Sequence, residues 1–131
     1  MSVVVDSSVL VVALTDGGTL GAWAERMVAR APIYAPELVQ AETSNILRRL
    51  ERARRIPTLE AGAAFEDLLQ LDLAVFPFAP FAERIWQLRH AVTSYDAWYV
   101  ALAEALQLPL ATLDRRLARA KGPKCRFLLP E

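Results

Sequence analysis

Short apolar runs alternate along this chain with longer segments of helical period, and this alternation limits its fold more than any other feature. The apolar runs predict five strands: Val3–Val5, Pro32–Tyr34, Ala74–Phe76, Pro109–Ala111 and Arg126–Leu128. The intervening segments predict helices at Thr19–Arg30, from Pro36 to about Arg54, from Thr58 to about Leu71, from Pro80 to about His90, and from Thr93 or Ser94 to about Leu106. Strands that alternate with helices predict an α/β fold with a mostly parallel sheet.

Size and composition fit one folded unit. The chain has 131 residues, of which 54% are hydrophobic, so we expect a single domain over residues 1–131. The apolar run Val9–Leu14 is far shorter than the roughly 20 residues that cross a bilayer, and no basic secretory leader precedes it. Cys125 is the only cysteine, which excludes an internal disulfide and a multi-thiolate metal site. We therefore expect a soluble, cytoplasmic protein.

Basic residues are concentrated in two segments although the formal net charge is zero. Five of the 15 lysines and arginines lie in Arg48–Arg55, and six lie in Arg115–Arg126. Such clusters can bind phosphates locally even on a neutral protein. They can equally be solvated helix faces, and charge runs alone do not decide between the two.

Four acidic residues lie where apolar segments give way to turns or helices: Asp6, Glu42, Asp96 and Asp114. Carboxylates ~4 Å apart repel by several kcal/mol at an effective dielectric of ~20, so convergence of all four requires raised pKa values or a bound cation. An oxygen-only cluster favours a hard ion, Mg²⁺ or Mn²⁺. Structural roles stay open, because Asp6 and Asp114 can cap turns or helices and Asp96 can complement a helix dipole.

Glu42 differs from the other acids because it lies inside a predicted helix. Glu42, Asn45, Arg49 and Arg52 follow one another at spacings of three, four and three residues, which places them on one face. That face is either plain solvent surface or a stripe that points a metal ligand and phosphate-binding groups into a cleft.

Aromatic residues flank Asp96, and one histidine stands alone. Tyr95, Trp98 and Tyr99 are expected mostly to pack in the core or an interface rather than to stack on bases. His90 has no matching serine or cysteine partner, which argues against nucleophilic triad chemistry.

Four segments of the chain together resemble one protein family. VVVDSSV, LVQAETSNILRRL, YDAWYVALAEAL and LPLATLDRRLARA, in this order, resemble the PIN-domain ribonucleases, most closely the VapC-type toxins of bacterial toxin–antitoxin pairs. The likeness covers essentially the whole chain. It implies a three-layer α/β/α fold with about five parallel strands in the order 3-2-1-4-5, in which strands one and four are neighbours.

The resemblance also implies an activity and partners. It implies a metal-dependent endoribonuclease that hydrolyses RNA, often a structured or transfer RNA, and that forms a homodimer and pairs with a VapB-type antitoxin. The acidic quartet maps onto Asp6, Glu42, Asp96 and Asp114 as catalytic residues and as ligands of Mg²⁺ or Mn²⁺, with Ser8, Asn45 and Thr112 in supporting positions. From helix spacing, we expect Arg49 to bind a phosphate of the substrate.

One departure from the family pattern concerns the number of ions. Some relatives carry a further acid shortly after the last aspartate, whereas Arg115–Leu117 follow Asp114 here. Asp6, Asp96 and Asp114 would hold one ion directly or through water, and Glu42 would hold a second ion or orient the attacking water. One ion or two therefore remains open.

Two other classes of protein compete with this interpretation. One is a catalytically silent PIN-like domain that only binds RNA or a partner, although the presence of all four acids argues against lost catalysis. The other is an aspartate-based phosphatase or phospho-acceptor domain. A haloacid-type phosphatase requires a second aspartate two residues after Asp6, and that position is Ser8.

Overall fold

A single five-stranded sheet organises the chain. The computed structural model describes all residues, Met1–Glu131. The strands are β1 (Val4–Val5), β2 (Ile33–Pro36), β3 (Leu73–Phe76), β4 (Leu110–Ala111) and β5 (Phe127–Leu128). Every neighbouring pair is parallel, and the order is β3-β2-β1-β4-β5. The predicted α/β class and strand order are confirmed.

Seven α-helices flank the sheet. They are α1 (Ser7–Thr15), α2 (Thr19–Val28), α3 (Val39–Arg52), α4 (Thr58–Gln70), α5 (Ala82–Gln87), α6 (Ser94–Leu106) and α7 (Arg115–Arg119). A short 3₁₀ segment, Ala79–Phe81, precedes α5. None of these helices combines the length and the apolar character that crossing a membrane requires.

Helix α1 has no counterpart in the helices predicted from the sequence. Its sequence, SSVLVVALT, is apolar nearly all round, so it lacks the period of a half-exposed helix. The structure explains this composition, because Val9, Leu10 and Val11 are buried and α1 packs against α2, α3 and α4. A helix surrounded by other elements cannot be distinguished from a buried strand by periodicity alone.

Several predicted helix boundaries are wrong, by most at the start of α3 and the end of α5. Pro36 does not open α3 but ends β2, where it is the register partner of Phe76. The fixed φ of proline suits a first helical turn and an extended strand alike, so residue type could not decide. Helix α5 ends at Gln87 rather than His90, which leaves Arg89 and His90 in the connection to α6.

The central strand pair positions the polar residues that follow it. Val4 is opposite Leu110 and Val5 is opposite Ala111 in the parallel register of β1 and β4. All four side chains are fully buried, and α6 packs across β1, β2 and β4. Residues that directly follow β1 and β4 therefore emerge at the same edge of the sheet, where parallel α/β proteins bind ligands.

Candidate active site

Asp6 directly follows β1 and is the N-cap of α1. Its Oδ1 accepts hydrogen bonds from the Ser8 hydroxyl and, at 3.2 Å, from the Val9 N–H. Its Oδ2 accepts one from the Thr112 hydroxyl. Burial raises the pKa of Asp6 above its usual value although these three bonds lower it, and the charge of Asp96 raises it further. The predicted capping role is confirmed, and it coexists with a carboxylate that is poorly solvated.

Two hydroxyl groups join the turn after β1 to the turn after β4. Thr112 is fully buried, and its Oγ1 also accepts the Asp114 N–H at 3.0 Å. The Ser8 Oγ accepts the Leu113 N–H at 3.2 Å. Each hydroxyl thus donates to Asp6 and accepts from the turn after β4, which fixes the orientation of the carboxylate. The family resemblance implied supporting positions for Ser8 and Thr112, and the structure brings both into contact with Asp6.

Asp114 lies at the edge of the same region as the N-cap of α7. Its Oδ1 accepts the N–H groups of Arg116 at 2.9 Å and of Leu117 at 3.1 Å. The side chain is exposed, and its Oδ2 accepts no hydrogen bond from the protein. One carboxylate oxygen therefore remains free for a ligand.

Asp96 lies in the first turn of α6, which Thr93 caps by accepting the Asp96 N–H at 3.2 Å. Its side chain is half-buried. Burial and then the nearby charge of Asp114 raise the pKa of Asp96. Because Asp96 also acts on Asp6, the three aspartates form one group of interacting charges at the carboxyl edge of β1 and β4.

A cleft of about 460 Å³ opens beside these aspartates. Asp96 and Asp114 both line it, together with residues from the α5–α6 connection and from α7. The polar side chains of its wall include Arg89, His90, Thr93 and Arg116. The sequence did not assign Arg89, His90 or Arg116 to a site, since their common position depends on how the α5–α6 connection meets α7.

Glu42 approaches the aspartates from α3 through Tyr99 of α6. The Tyr99 hydroxyl donates to Glu42 Oε1 at 2.6 Å, although the residues are 57 positions apart. Burial, the bond to Glu42 and then the charges of Glu42, Asp6 and Asp96 all raise the pKa of Tyr99, so it stays a donor. Tyr99 is buried as the sequence predicts, but it also holds a polar residue of the site.

The remaining residues of the predicted α3 stripe lie on the surface. Asn45 and Arg49 are exposed, and Asn45 Oδ1 accepts the Nε–H of Arg48 at 3.0 Å. Neither Asn45 nor Arg49 lines the cleft that contains Asp96 and Asp114. The structure therefore joins Glu42, but not Asn45 or Arg49, to the acidic group by way of Tyr99.

The donor atoms of the site suit one mode of binding a divalent cation. No three carboxylate, histidine or cysteine side chains converge closely enough to ligate one ion together. The carboxylates and hydroxyls of the acidic group offer only oxygens, which suit a hard cation. Mg²⁺ keeps several waters and is usually held by one or two carboxylates plus substrate phosphates. The residues fit an ion bound in that way, and they do not form an all-protein cage.

Comparisons with known proteins identify the family of this chain. The PIN domain family matches residues 3–123. The chain is 41% identical over 127 residues to the ribonuclease VapC1 of Mycobacterium tuberculosis, with 96% of each chain covered.

Two solved structures share the fold. The PAE2754 protein of Pyrobaculum aerophilum superposes with a TM-score of 0.72 at 23% identity, over 97% of this chain and 83% of that one. VapBC2 of Rickettsia felis, bound to a DNA fragment from its promoter, gives 0.70 at 14% identity over 100% of both chains. The family match and the identity to VapC1 decide the assignment: this chain belongs to the PIN-domain family, in its VapC branch.

Proposed function

We propose that this protein is a divalent-metal-dependent endoribonuclease that hydrolyses RNA phosphodiester bonds. The observation that carries the proposal is the environment of Asp6. A carboxylate whose pKa is raised by burial is held by hydroxyls from two adjacent strand ends, next to Asp96 and Asp114. Pre-oriented, poorly solvated carboxylates are typical of catalytic metal sites. The name of the relative VapC1 as a ribonuclease supports RNA as the substrate.

In such a reaction the aspartates would hold the metal ion, and neighbouring hydroxyls would position them. A bound Mg²⁺ or Mn²⁺ would lower the pKa of a coordinated water and neutralise charge on the phosphate. Asp6, Asp96 and Asp114 would hold the ion directly or through water. Ser8 and Thr112 keep the Asp6 carboxylate in one orientation, since each donates a hydrogen bond to a different oxygen of it.

Residues of α3 would complete the site. Glu42 would hold a second ion or orient the attacking water, and the Tyr99 hydroxyl restrains its carboxylate. Asn45, which the resemblance implied as a supporting residue of this part of the site, is exposed on the same helix and accepts a hydrogen bond from Arg48 instead. Arg49, which is exposed one turn further along α3, would bind a phosphate of the RNA.

The biological role we propose is that of the toxin in a toxin–antitoxin pair. The partner would be a VapB-type antitoxin, and the chain would act as a homodimer in the cytoplasm, with residues 1–131 as one domain. The likeness to a solved VapBC pair and to FitAcB from Neisseria gonorrhoeae supports the partner class. Light scattering of the antitoxin-free chain tests the dimer separately from the enzyme.

An RNA cleavage time course tests the activity. Wild-type protein should cleave total cellular RNA in Mg²⁺ or Mn²⁺, and EDTA should stop it. Asp6→Asn should abolish cleavage, because the amide removes the anionic oxygen that a hard cation prefers. Asp67→Asn is the matched control, since Asp67 is exposed on α4 and lines no part of the cleft.

Two outcomes would contradict the proposal. Cleavage that persists in EDTA or in Asp6→Asn would place the activity elsewhere or assign it to a contaminant. Wild type that binds RNA but never cleaves it, with either metal, would support the silent RNA-binding alternative instead.

A further inference from the structure

Basic residues line one wall of the cleft that contains Asp96 and Asp114, and an exposed aromatic side chain adjoins this wall. Trp86 lies near the end of α5 and is 65% exposed, an unusual state for the largest apolar side chain. The Arg89 guanidinium lies 4.5 Å from the centre of the Trp86 ring, and its Nη1 donates to the Trp86 carbonyl at 2.8 Å. Arg89 itself lines the cleft with Asp96 and Asp114. The exposed indole is therefore continuous with the proposed catalytic site.

The surroundings of Trp86 are polar rather than apolar. On the same short segment, Glu83, Gln87 and His90 are also exposed, whereas Ile85 and Leu88 are buried. The exposed neighbours of Trp86 on this segment therefore do not form the contiguous apolar patch that marks many protein interfaces. A single exposed ring beside cationic groups fits a different ligand, because unpaired nucleobases stack on aromatic and guanidinium planes while lysine or arginine binds the adjacent phosphate.

Charge complementarity points to the same ligand. Arg89 and Arg116 line the cleft from different segments, the α5–α6 connection and α7, and both are exposed. The whole chain has no net charge, so attraction of a polyanion to this cleft must be local. Two arginines beside carboxylates can bind the phosphates that flank the one held at the acidic group.

We propose that Trp86, Arg89 and Arg116 form a subsite for single-stranded RNA at the wall of the cleft. An unpaired base stacks on the Trp86–Arg89 pair, and the two arginines bind its neighbouring phosphates. The subsite rests on the proposed ribonuclease function for its substrate class, and it selects unpaired segments because a base inside a duplex cannot reach the indole.

The test measures RNA binding apart from cleavage. Fluorescence anisotropy of a labelled single strand of about 12 nucleotides is recorded in EDTA for the antitoxin-free full chain, Trp86→Ala, Trp86→Phe and Arg89→Ala. Trp86→Ala should weaken binding about 10-fold or more, and Trp86→Phe should retain most of it, because stacking needs a ring. Arg89→Ala should also reduce the slope of binding against salt concentration, by about 0.7 for each phosphate that the guanidinium neutralises in the wild type.

Controls separate a subsite from a general loss of charge or of folding. Arg26→Ala is the matched control, since Arg26 is exposed on α2 and lines a different cleft. It should bind RNA like wild type. Circular dichroism melts should be unchanged for Trp86→Ala because the ring is mostly exposed. In cleavage assays with Mg²⁺, Trp86→Ala should raise KM and leave kcat nearly unchanged.

The outcomes distinguish this inference from the proposed function. Wild type that binds the strand through Trp86 but cleaves nothing would refute the ribonuclease and keep the subsite. Trp86→Ala and Arg89→Ala that bind like wild type, or wild type that binds no RNA, would overturn the subsite. Unchanged RNA binding with weakened binding of a protein antitoxin would also overturn it, and would assign the wall to that partner.

Discussion

Replacement of Asp6 by asparagine should have opposite effects on stability without and with metal. The ionised carboxylate of Asp6 is penalised by burial, which raises its pKa above the ordinary 3.8 in spite of hydrogen bonds from Ser8, Thr112 and the Val9 N–H. Asparagine keeps the shape and can accept the two bonds made by Oδ1. It loses the bond from Thr112 to a charged oxygen, worth about 1.5–3 kcal/mol, but it also removes the buried charge.

The pH dependence gives the sign of this effect. Because the native pKa of Asp6 lies above its unfolded value, the native state binds more protons between the two values. The contribution of Asp6 to the stability of metal-free wild type therefore falls as the pH rises through that window. Asp6→Asn lacks this contribution, so its melting temperature relative to wild type should rise as the pH increases above the ordinary pKa of 3.8.

The expected rise in melting temperature on metal binding follows from the binding free energy and from the unfolding entropy of a chain of this length. An ion present at about 100 times its dissociation constant stabilises the native state by about 2.7 kcal/mol. An unfolding entropy of about 2.1 cal/mol/K per residue, over 131 residues, gives roughly 0.28 kcal/mol/K. Saturating Mg²⁺ or Mn²⁺ should therefore raise the melting temperature of wild type by about 10 °C, and should raise that of Asp6→Asn far less.

Thermal melts monitored by circular dichroism measure both effects. Wild type, Asp6→Asn and the exposed control Asp67→Asn are melted at several pH values from about 4 to about 7, with EDTA or with a Mn²⁺ titration. Asp67→Asn should follow wild type throughout. The reasoning is refuted if Mn²⁺ shifts Asp6→Asn as much as wild type, or if the metal-free variant becomes relatively less stable as the pH rises.

Three further predictions concern contacts around the site and at the opposite end of α6. Tyr99→Phe removes only the hydroxyl that donates to Glu42, so urea unfolding should show a free energy of unfolding lower by about 1–2 kcal/mol. Mn²⁺ should stabilise this variant less than it stabilises wild type. Equal stabilisation by Mn²⁺ would show that Tyr99 does not contribute to the metal site. Burial raises the pKa of Glu104, but hydrogen bonds from Arg84 and the Lys124 N–H lower it more, so the native pKa lies below its usual value. Wild type should therefore lose the stability that Glu104 contributes as the pH falls through the native pKa. Glu104→Gln should be less stable than wild type at about pH 7, and its stability should depend less on acid. Burial raises the pKa of Cys125 to about 11, so iodoacetamide at about pH 7.5 should alkylate it at least about tenfold more slowly than a free thiol; equal rates would show an open thiol.

Local signals in the sequence were sufficient where neighbouring residues decide the outcome. Asp6 and Asp114 each follow a buried apolar run, and their capping roles depend on residues two or three positions away. The contact of Thr112 with Asp6 needed in addition the order of the strands, which the family resemblance supplied. Local signals therefore predicted the positions of Asp6 and Asp114 at the ends of their strands, and the resemblance was needed to predict that these two strands are neighbours.

Contacts that depend on packing were beyond the sequence. The bond between Tyr99 and Glu42 requires α6 to lie against α3, and no local pattern fixes that distance. Helix α1 was missed because its nearly uniform apolar sequence has no polar face to give a helical period. The contact between Trp86 and Arg89 likewise depends on the turn that follows α5, because Arg89 lies beyond the end of that helix.

The cleft that contains Asp96 and Asp114 would have to bind both a cation and the anionic backbone of RNA, and different residues that line it carry the opposite charges. Carboxylates that attract a cation also repel the phosphates of an RNA. The charge of Asp114 already raises the pKa of Asp96. Neutralisation by an ion removes that repulsion only at the phosphate next to the ion. Arg89 and Arg116 line the same cleft, so they can attract the flanking phosphates before any ion is bound. Under the proposed function, this chain, which has no net charge, uses separate side chains for metal and for RNA, and we expect substitutions in one set to leave the binding by the other set intact.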